Sequence, residues 1–155
     1  MIEKLLDKLA SITSYFLYLL VALIIYDLTN RYLFSSGSIA LQELEWHIFD
    51  FIMLFSLYFT LKLDGHVRVD IFYSKFSEKF QRYIDIFAHL FFIIPFSVLV
   101  IYTSFDFVTI SYLQHETSSD PGGLPYRFVV KSFVIFGFGL LILQSIIRLK
   151  NTIQR

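Results

Sequence analysis

Four apolar runs separated by polar segments organise the chain. Residues 9–26 are 18 positions without Asp, Glu, Lys or Arg, residues 87–105 are 19, and residues 132–147 are 16. A membrane-spanning helix needs roughly 20 mostly apolar residues, because each residue advances the helix by about 1.5 Å and the hydrocarbon layer is about 30 Å thick. These three runs reach that length once their flanks are added. The fourth run, residues 51–61, has only 11 uncharged positions. It can span only if it starts near Glu45 and carries His47 and Asp50 inside, so its first turns cannot face lipid. The pattern predicts four helices, over about 9–34, 43–63, 83–110 and 127–149.

The polar segments between them differ in kind. Residues 111–126, SYLQHETSSDPGGLPY, are rich in Ser, Pro and Gly and read as a loop. Residues 62–72, KLDGHVRVDIF, alternate charged and apolar positions. Gly65 can end the second helix in the left-handed conformation that other residues resist. Val67, Val69 and Ile71 then alternate with polar neighbours, as in an extended piece. Asp70 can cap a new helix. From there Phe72, Phe76, Phe80, Tyr83 and Phe87 recur at helical spacing, with Lys75, Glu78, Lys79 and Arg82 on other faces. That is an amphipathic helix over about 70–82, suited to lying at a membrane surface. The competing arrangement buries the same stripe against the protein's own helices.

Composition supports lipid as the solvent. Hydrophobic residues make up 56 %, aromatics 19 % and charged residues 17 %, against roughly 45–50 % apolar and 25 % charged in soluble domains. A chain of 155 residues folded in water could not bury so much apolar surface. There is no cysteine, which excludes disulfides and thiolate metal sites. The net charge is zero, so no global field points to nucleic acid. The chain reads as an all-α integral membrane protein.

The distribution of Lys and Arg predicts its orientation. Lys4, Lys8, Lys62, Arg68, Lys75, Lys79, Arg82, Arg148, Lys150 and Arg155 fall on one side; Arg31, Arg127 and Lys131 fall on the other. Both termini and residues 62–82 are therefore expected in the cytoplasm, and the 111–126 loop on the opposite, outer side. Lys4 and Lys8 before an apolar core resemble a secretory signal. The core is long, however, and Asp27 and Arg31 follow before any small-residue cleavage site, so an uncleaved first helix is expected.

Intramembrane ionisable groups are costly and normally face protein or water. Asp27, Arg31, Glu43, Glu45, His47, Asp50, Asp106 and Lys131 all fall near the outer ends of their helices on this topology, while the middle is apolar. Asp27 and Arg31, four apart, can pair on one face. Asp106 and Lys131 share a depth on consecutive antiparallel helices and are expected to pair. Glu43, His47 and Asp50 face one way. They form either a metal site, for which no second ligand cluster is apparent, or a polar stripe packed on another polypeptide or on Arg31. Trp46 reads as an interfacial anchor.

Other chemistries fit poorly. A b-type haem needs two histidines at one depth, but His47 and His89 lie about 25 Å apart along the normal at 1.5 Å per residue. A transporter acting alone needs an ionisable group near the midplane or a broken helix, and Pro95 is the only proline within a span. No catalytic triad, phosphate loop or zinc motif is present. No cofactor is expected. A stand-alone membrane protein, such as a dimeric exporter or a redox subunit, remains as an alternative.

Three stretches in order, LQELEWHIFDF (41–51), DGHVRVDIFYSKFS (64–77) and SSDPGGLPYRFVVKSFVIFGFGLLILQ (118–144), resemble the small membrane subunit, the Q or DctQ-like subunit, of tripartite ATP-independent periplasmic (TRAP) transporters. The resemblance covers roughly residues 25–148. It implies a scaffold without catalytic activity in the bacterial inner membrane. A large elevator-type membrane subunit would import an organic acid anion by symport with sodium, and a periplasmic binding protein would deliver the substrate. Sodium would then bind the large subunit. Partners are that subunit, the binding protein and membrane lipids, not nucleic acid. Glu43, Glu45, Trp46, His47, Arg68 and Asp70 lie in the family-like motifs.

Roles follow from both readings. Asp27, Arg31, Glu43, Glu45, Trp46, His47, Asp50, Asp106 and Lys131 form a structural polar layer or partner interface. Gly65, His66, Arg68 and Asp70 form a cytoplasmic connector, and Phe72, Lys75, Phe76, Lys79, Phe80 and Arg82 an interfacial anchor. His115, Glu116, Asp120 and Arg127 either dock the binding protein or cap the helices beneath them.

Overall fold

The computed structural model describes residues 2–63, 73 and 76–154. It is helical, with no strand among the described residues. The helices are α1 (Ile2–Leu33), α2 (Ile39–Lys62), α3 (Glu78–Ala88), α4 (Ile94–Leu113) and α5 (Phe128–Ile153). A π-helical segment, His89–Ile93, joins α3 to α4. Four helical rods are long and apolar enough to cross a membrane: Lys4–Leu33, Ile39–Lys62, Glu78–Leu113 and Phe128–Ile153. An all-α protein with four spans is the observed fold.

Local chemistry sets the helix boundaries. α1 ends in a left-handed turn: the Ser36 N–H reaches back six residues to the Asn30 carbonyl at 3.1 Å, and Ser35 adopts φ +50°. The Ser38 hydroxyl then accepts from the Leu41 N–H at 3.4 Å, so α2 begins at Ile39, a turn before the expected start. α4 ends in a Schellman turn, with Glu116 N–H bonded to the Ser111 carbonyl at 3.0 Å and His115 at φ +48°. No helical break separates residues 78–82 from the span that follows.

The π segment has an identifiable cause. Pro95 lacks an N–H, and its ring would collide with the Phe91 carbonyl in a regular α-helix. One inserted residue relieves this: the Ile94 N–H bonds to the His89 carbonyl, five residues back. The rod therefore continues past the proline without a break.

Packing runs in a row rather than a closed ring. Among the described residues α1 packs extensively only on α2, α2 on α1 and α5, and α5 on α2 and on the α3–α4 rod. Few large side chains are fully buried; Tyr58, Leu6 and Leu61 are the largest, followed by Ser97, Ser111 and Ser145. Small residues at crossings are expected where lipid supplies no hydrophobic drive between helices. Gly137 is the closest such point. A Cβ there would lie 2.9 Å from both Cβ and the carbonyl oxygen of Leu54. Next to it, Phe16 of α1, Phe51 and Phe55 of α2 and Phe133 of α5 form a continuous ring cluster, with centroids 4.4–6.0 Å apart.

Charged groups gather at the two ends. The end holding the termini is tied by a Lys62–Asp7 ion pair, by Tyr58 donating to the Leu6 carbonyl at 2.7 Å, and by Arg148 donating to the Leu61 carbonyl at 2.7 Å. His89 is buried there, 2.7 Å from the Ser145 hydroxyl. The opposite end, with the 34–38 and 114–127 links, carries the candidate site.

Candidate interaction site at the loop end

The site is built on the first three turns of α2. Glu43, His47 and Asp50 lie at i, i+4 and i+7 and share a face. Glu43 is engaged by the loop: its carboxylate accepts from the Ser118 hydroxyl and from the Leu124 N–H, the latter at 2.5 Å. The loop is held closed around that carboxylate. Ser118 N–H bonds the Leu124 carbonyl at 3.1 Å, and Gly123 N–H the Asp120 carbonyl at 3.0 Å. Gly123 permits the close approach, since a Cβ there would sit 2.7 Å from Glu43 Oε2 and closer still to Ser118. With Glu43 committed to the loop, His47 and Asp50 are left without a third donor for a metal. Among the described residues no cluster of three metal-ligating side chains occurs.

A second set of bonds fixes the far side of the loop. Lys131 of α5 pairs with Glu116, and its ammonium lies 4.0 Å from the Phe107 ring centroid. Arg127 N–H bonds the Glu116 carbonyl at 3.1 Å. The hydrogen bond and positive charge of Lys131 hold the Glu116 carboxyl below the usual carboxylate range. The expected Asp106–Lys131 pair is therefore not formed. The Schellman turn at His115 brings Glu116 back over α5, where it captures the lysine first. Asp106 stays exposed on α4.

Asp27 and Arg31 do form the expected ion pair. Asp27 is 3 % exposed and Arg31 is half-exposed. With its side-chain amide turned to suit, Gln42 of α2 accepts from Arg31 Nη1 at 3.0 Å, which links α1 to α2. One oxygen of Asp27 and one of Glu45 are buried without a hydrogen-bond partner among the described residues. The Gln42 contact was not legible in the sequence, because an amide carries no charge to mark it.

Between α2, α5 and the loop lies an open cleft of about 400 Å³. Gln42, Glu43, Trp46, His47, Asp50, Asp120 and Arg127 line it. Three of the predicted groups therefore converge: the α2 polar stripe, Trp46, and the loop residues Asp120 and Arg127. Asp106 and Lys131 do not line it. His115 takes the left-handed position just after α4.

At the other end a cleft of about 750 Å³ is lined by Lys62, Tyr73, Glu78, Gln81, Arg82, Asp85, Gln144 and Arg148, among others. Gln81 Nε2 donates to the carbonyls of Tyr73 at 3.0 Å and Phe76 at 3.1 Å. Phe76, Phe80, Tyr83 and Phe87 are exposed along one stripe, and Lys79 and Arg82 are also exposed. Gly65, His66, Arg68, Asp70, Phe72 and Lys75 lie outside the described residues.

The family model described as "Tripartite ATP-independent periplasmic transporters, DctQ component" matches residues 20–155. No curated protein matches the sequence.

Proposed function

The chain belongs to the DctQ component family of the tripartite ATP-independent periplasmic transporters, and from that premise we propose that it is the non-catalytic scaffold of such a transporter. As a family member it is a multi-pass protein of the inner membrane. A large elevator-type partner carries an organic acid anion with sodium, and a periplasmic binding protein delivers the anion. This chain widens the stationary part and helps to receive the binding protein.

One observation carries the reading. The middles of the first, third and fourth spans hold no Asp, Glu, Lys or Arg, and the middle of the second holds only Asp50. Other polar groups there include hydroxyls that bond to their own helix, such as Ser97 to the Ile93 carbonyl at 2.6 Å and Ser56 to the Ile52 carbonyl at 2.6 Å. A protein that moves a charged substrate or ion needs an ionisable or broken-helix site near the midplane. Asp50 is the single such charge and no helix breaks among the described residues, which favours placing the moving site in another subunit.

Lysine and arginine counts favour cytoplasmic termini, which turns the loop end to the periplasm. There the exposed Asp120 and the half-buried Arg127 form the docking face for the binding protein. Exposed Phe80, Tyr83 and Phe87 favour contact of α3 with lipid at the cytoplasmic surface. The aromatics, with Lys79 and Arg82 beside them, resist vertical sliding while a neighbour moves.

The test is reconstitution in proteoliposomes with a sodium gradient. Uptake of an organic anion is expected only when the large subunit, the binding protein and this chain are all present. Full-rate uptake without this chain overturns the scaffold role.

A further inference from the structure

We propose that the stripe of α2 centred on Asp50 is where the large membrane subunit seats, and that a basic side chain of that subunit pairs with the Asp50 carboxylate. The inference rests on the scaffold reading above.

Trp46, Asp50 and Met53 lie at i, i+4 and i+7 and project the same way, with Phe49 beside them. α1 and α5 occupy the flanks of α2, and this stripe is the face they leave uncovered. Trp46 is 67 % exposed, Met53 57 % and Phe49 47 %. Lipid accommodates the three apolar side chains. It does not accommodate Asp50.

The carboxylate is half-buried and makes no hydrogen bond or ion pair among the described residues. His47 and Arg127 line the same cleft, but neither is paired with it. Asp50 is seven residues further along α2 than Glu43, the residue that clamps the loop, and so lies about 10 Å deeper. A carboxylate at that depth needs a protein partner or a wet cavity. Trp46, whose residue type favours the headgroup level, lies about a turn above it. A long basic side chain entering the cleft of about 400 Å³ reaches Asp50 and leaves Trp46 to pack on the helix that carries it. Aromatic anchors beside a desolvated ion pair are the usual centre of a tight interface.

The experiment uses the full chain, tagged and co-expressed with the large membrane subunit of the same transporter, then solubilised in mild detergent. Retention of the large subunit is measured. Asp50→Lys is expected to lower retention at least about tenfold, since it sets two cations against each other at a buried pair. Asp50→Asn is expected to lower it less. One Lys→Asp or Arg→Asp substitution in the large subunit is expected to restore retention by the Asp50→Lys chain. In an otherwise unchanged chain, a photo-cross-linking residue at Phe49 or Met53 is expected to join the large subunit. That arm stands even if Asp50→Lys does not fold. Retention unaffected by Asp50→Lys, together with no protein adduct from either position, overturns the docking proposal while the scaffold reading stands. Failure of the unaltered chain to retain the large subunit overturns both.

Discussion

Gly137→Ala is expected to loosen the crossing of α2 and α5. The added methyl would meet Leu54 Cβ and carbonyl oxygen at 2.9 Å and the carbonyl carbon at 3.1 Å. Carbon contacts are comfortable at about 3.5–4.0 Å, so the helices must part locally by roughly 0.5–1 Å. A gap of that size forfeits about a quarter to a half of each dispersion well of about 0.1–0.2 kcal/mol. Over about 40 atom pairs, the number one buried leucine makes, the loss is about 2 kcal/mol, within the usual cost of overpacking. Alanine's better helix propensity returns up to about 1 kcal/mol, leaving a net loss of roughly 1 kcal/mol. Gly139, two residues on, supplies the control. A Cβ there meets nothing within 4 Å, so Gly139→Ala keeps the propensity gain and is expected to stabilise by up to about 1 kcal/mol. Equilibrium unfolding in detergent micelles measures both. If Gly137→Ala stabilises as much as Gly139→Ala does, the backbones do not approach closely at that crossing and the packing argument is wrong.

Two further outcomes concern the loop. Glu43→Ala removes the acceptor for Ser118 and Leu124 and is expected to loosen the loop; limited trypsin digestion should then cut faster at Arg127, and an unchanged rate would mean that the clamp is dispensable. Glu116 has a depressed carboxyl pKa, so its stabilising contribution is complete above the ordinary carboxylate range and is lost as pH falls through the depressed value. Thermal midpoints from pH 7 down to 3 should show an acid-side decline that is smaller in Glu116→Gln, and equal declines would remove Glu116 as a cause.

The spans were legible because hydrocarbon imposes a single requirement on every residue that faces it. Apolar runs of sufficient length, and their polar interruptions, follow from that alone. The Asp27–Arg31 pair was legible too, since its partners sit one turn apart on one helix. The extra turn at the start of α2 was not, although Ser38 was its signal; its cap declares itself only once the chain has turned. The π segment before Pro95 was not read from the sequence, because a lone proline in an apolar run does not say how the helix absorbs its missing N–H.

Sequence by itself determined that this is a four-span helical membrane protein with nearly all of its charge toward the ends. Solvent dictates those features residue by residue. The row order α1–α2–α5–α4, the capture of Lys131 by Glu116 instead of Asp106, the commitment of Glu43 to the loop and the isolation of Asp50 were decided only by the tertiary structure. Each depends on which of several groups at one depth comes nearest. A left-handed turn at His115, where the loop leaves α4, changes that distance without leaving a mark in the hydropathy.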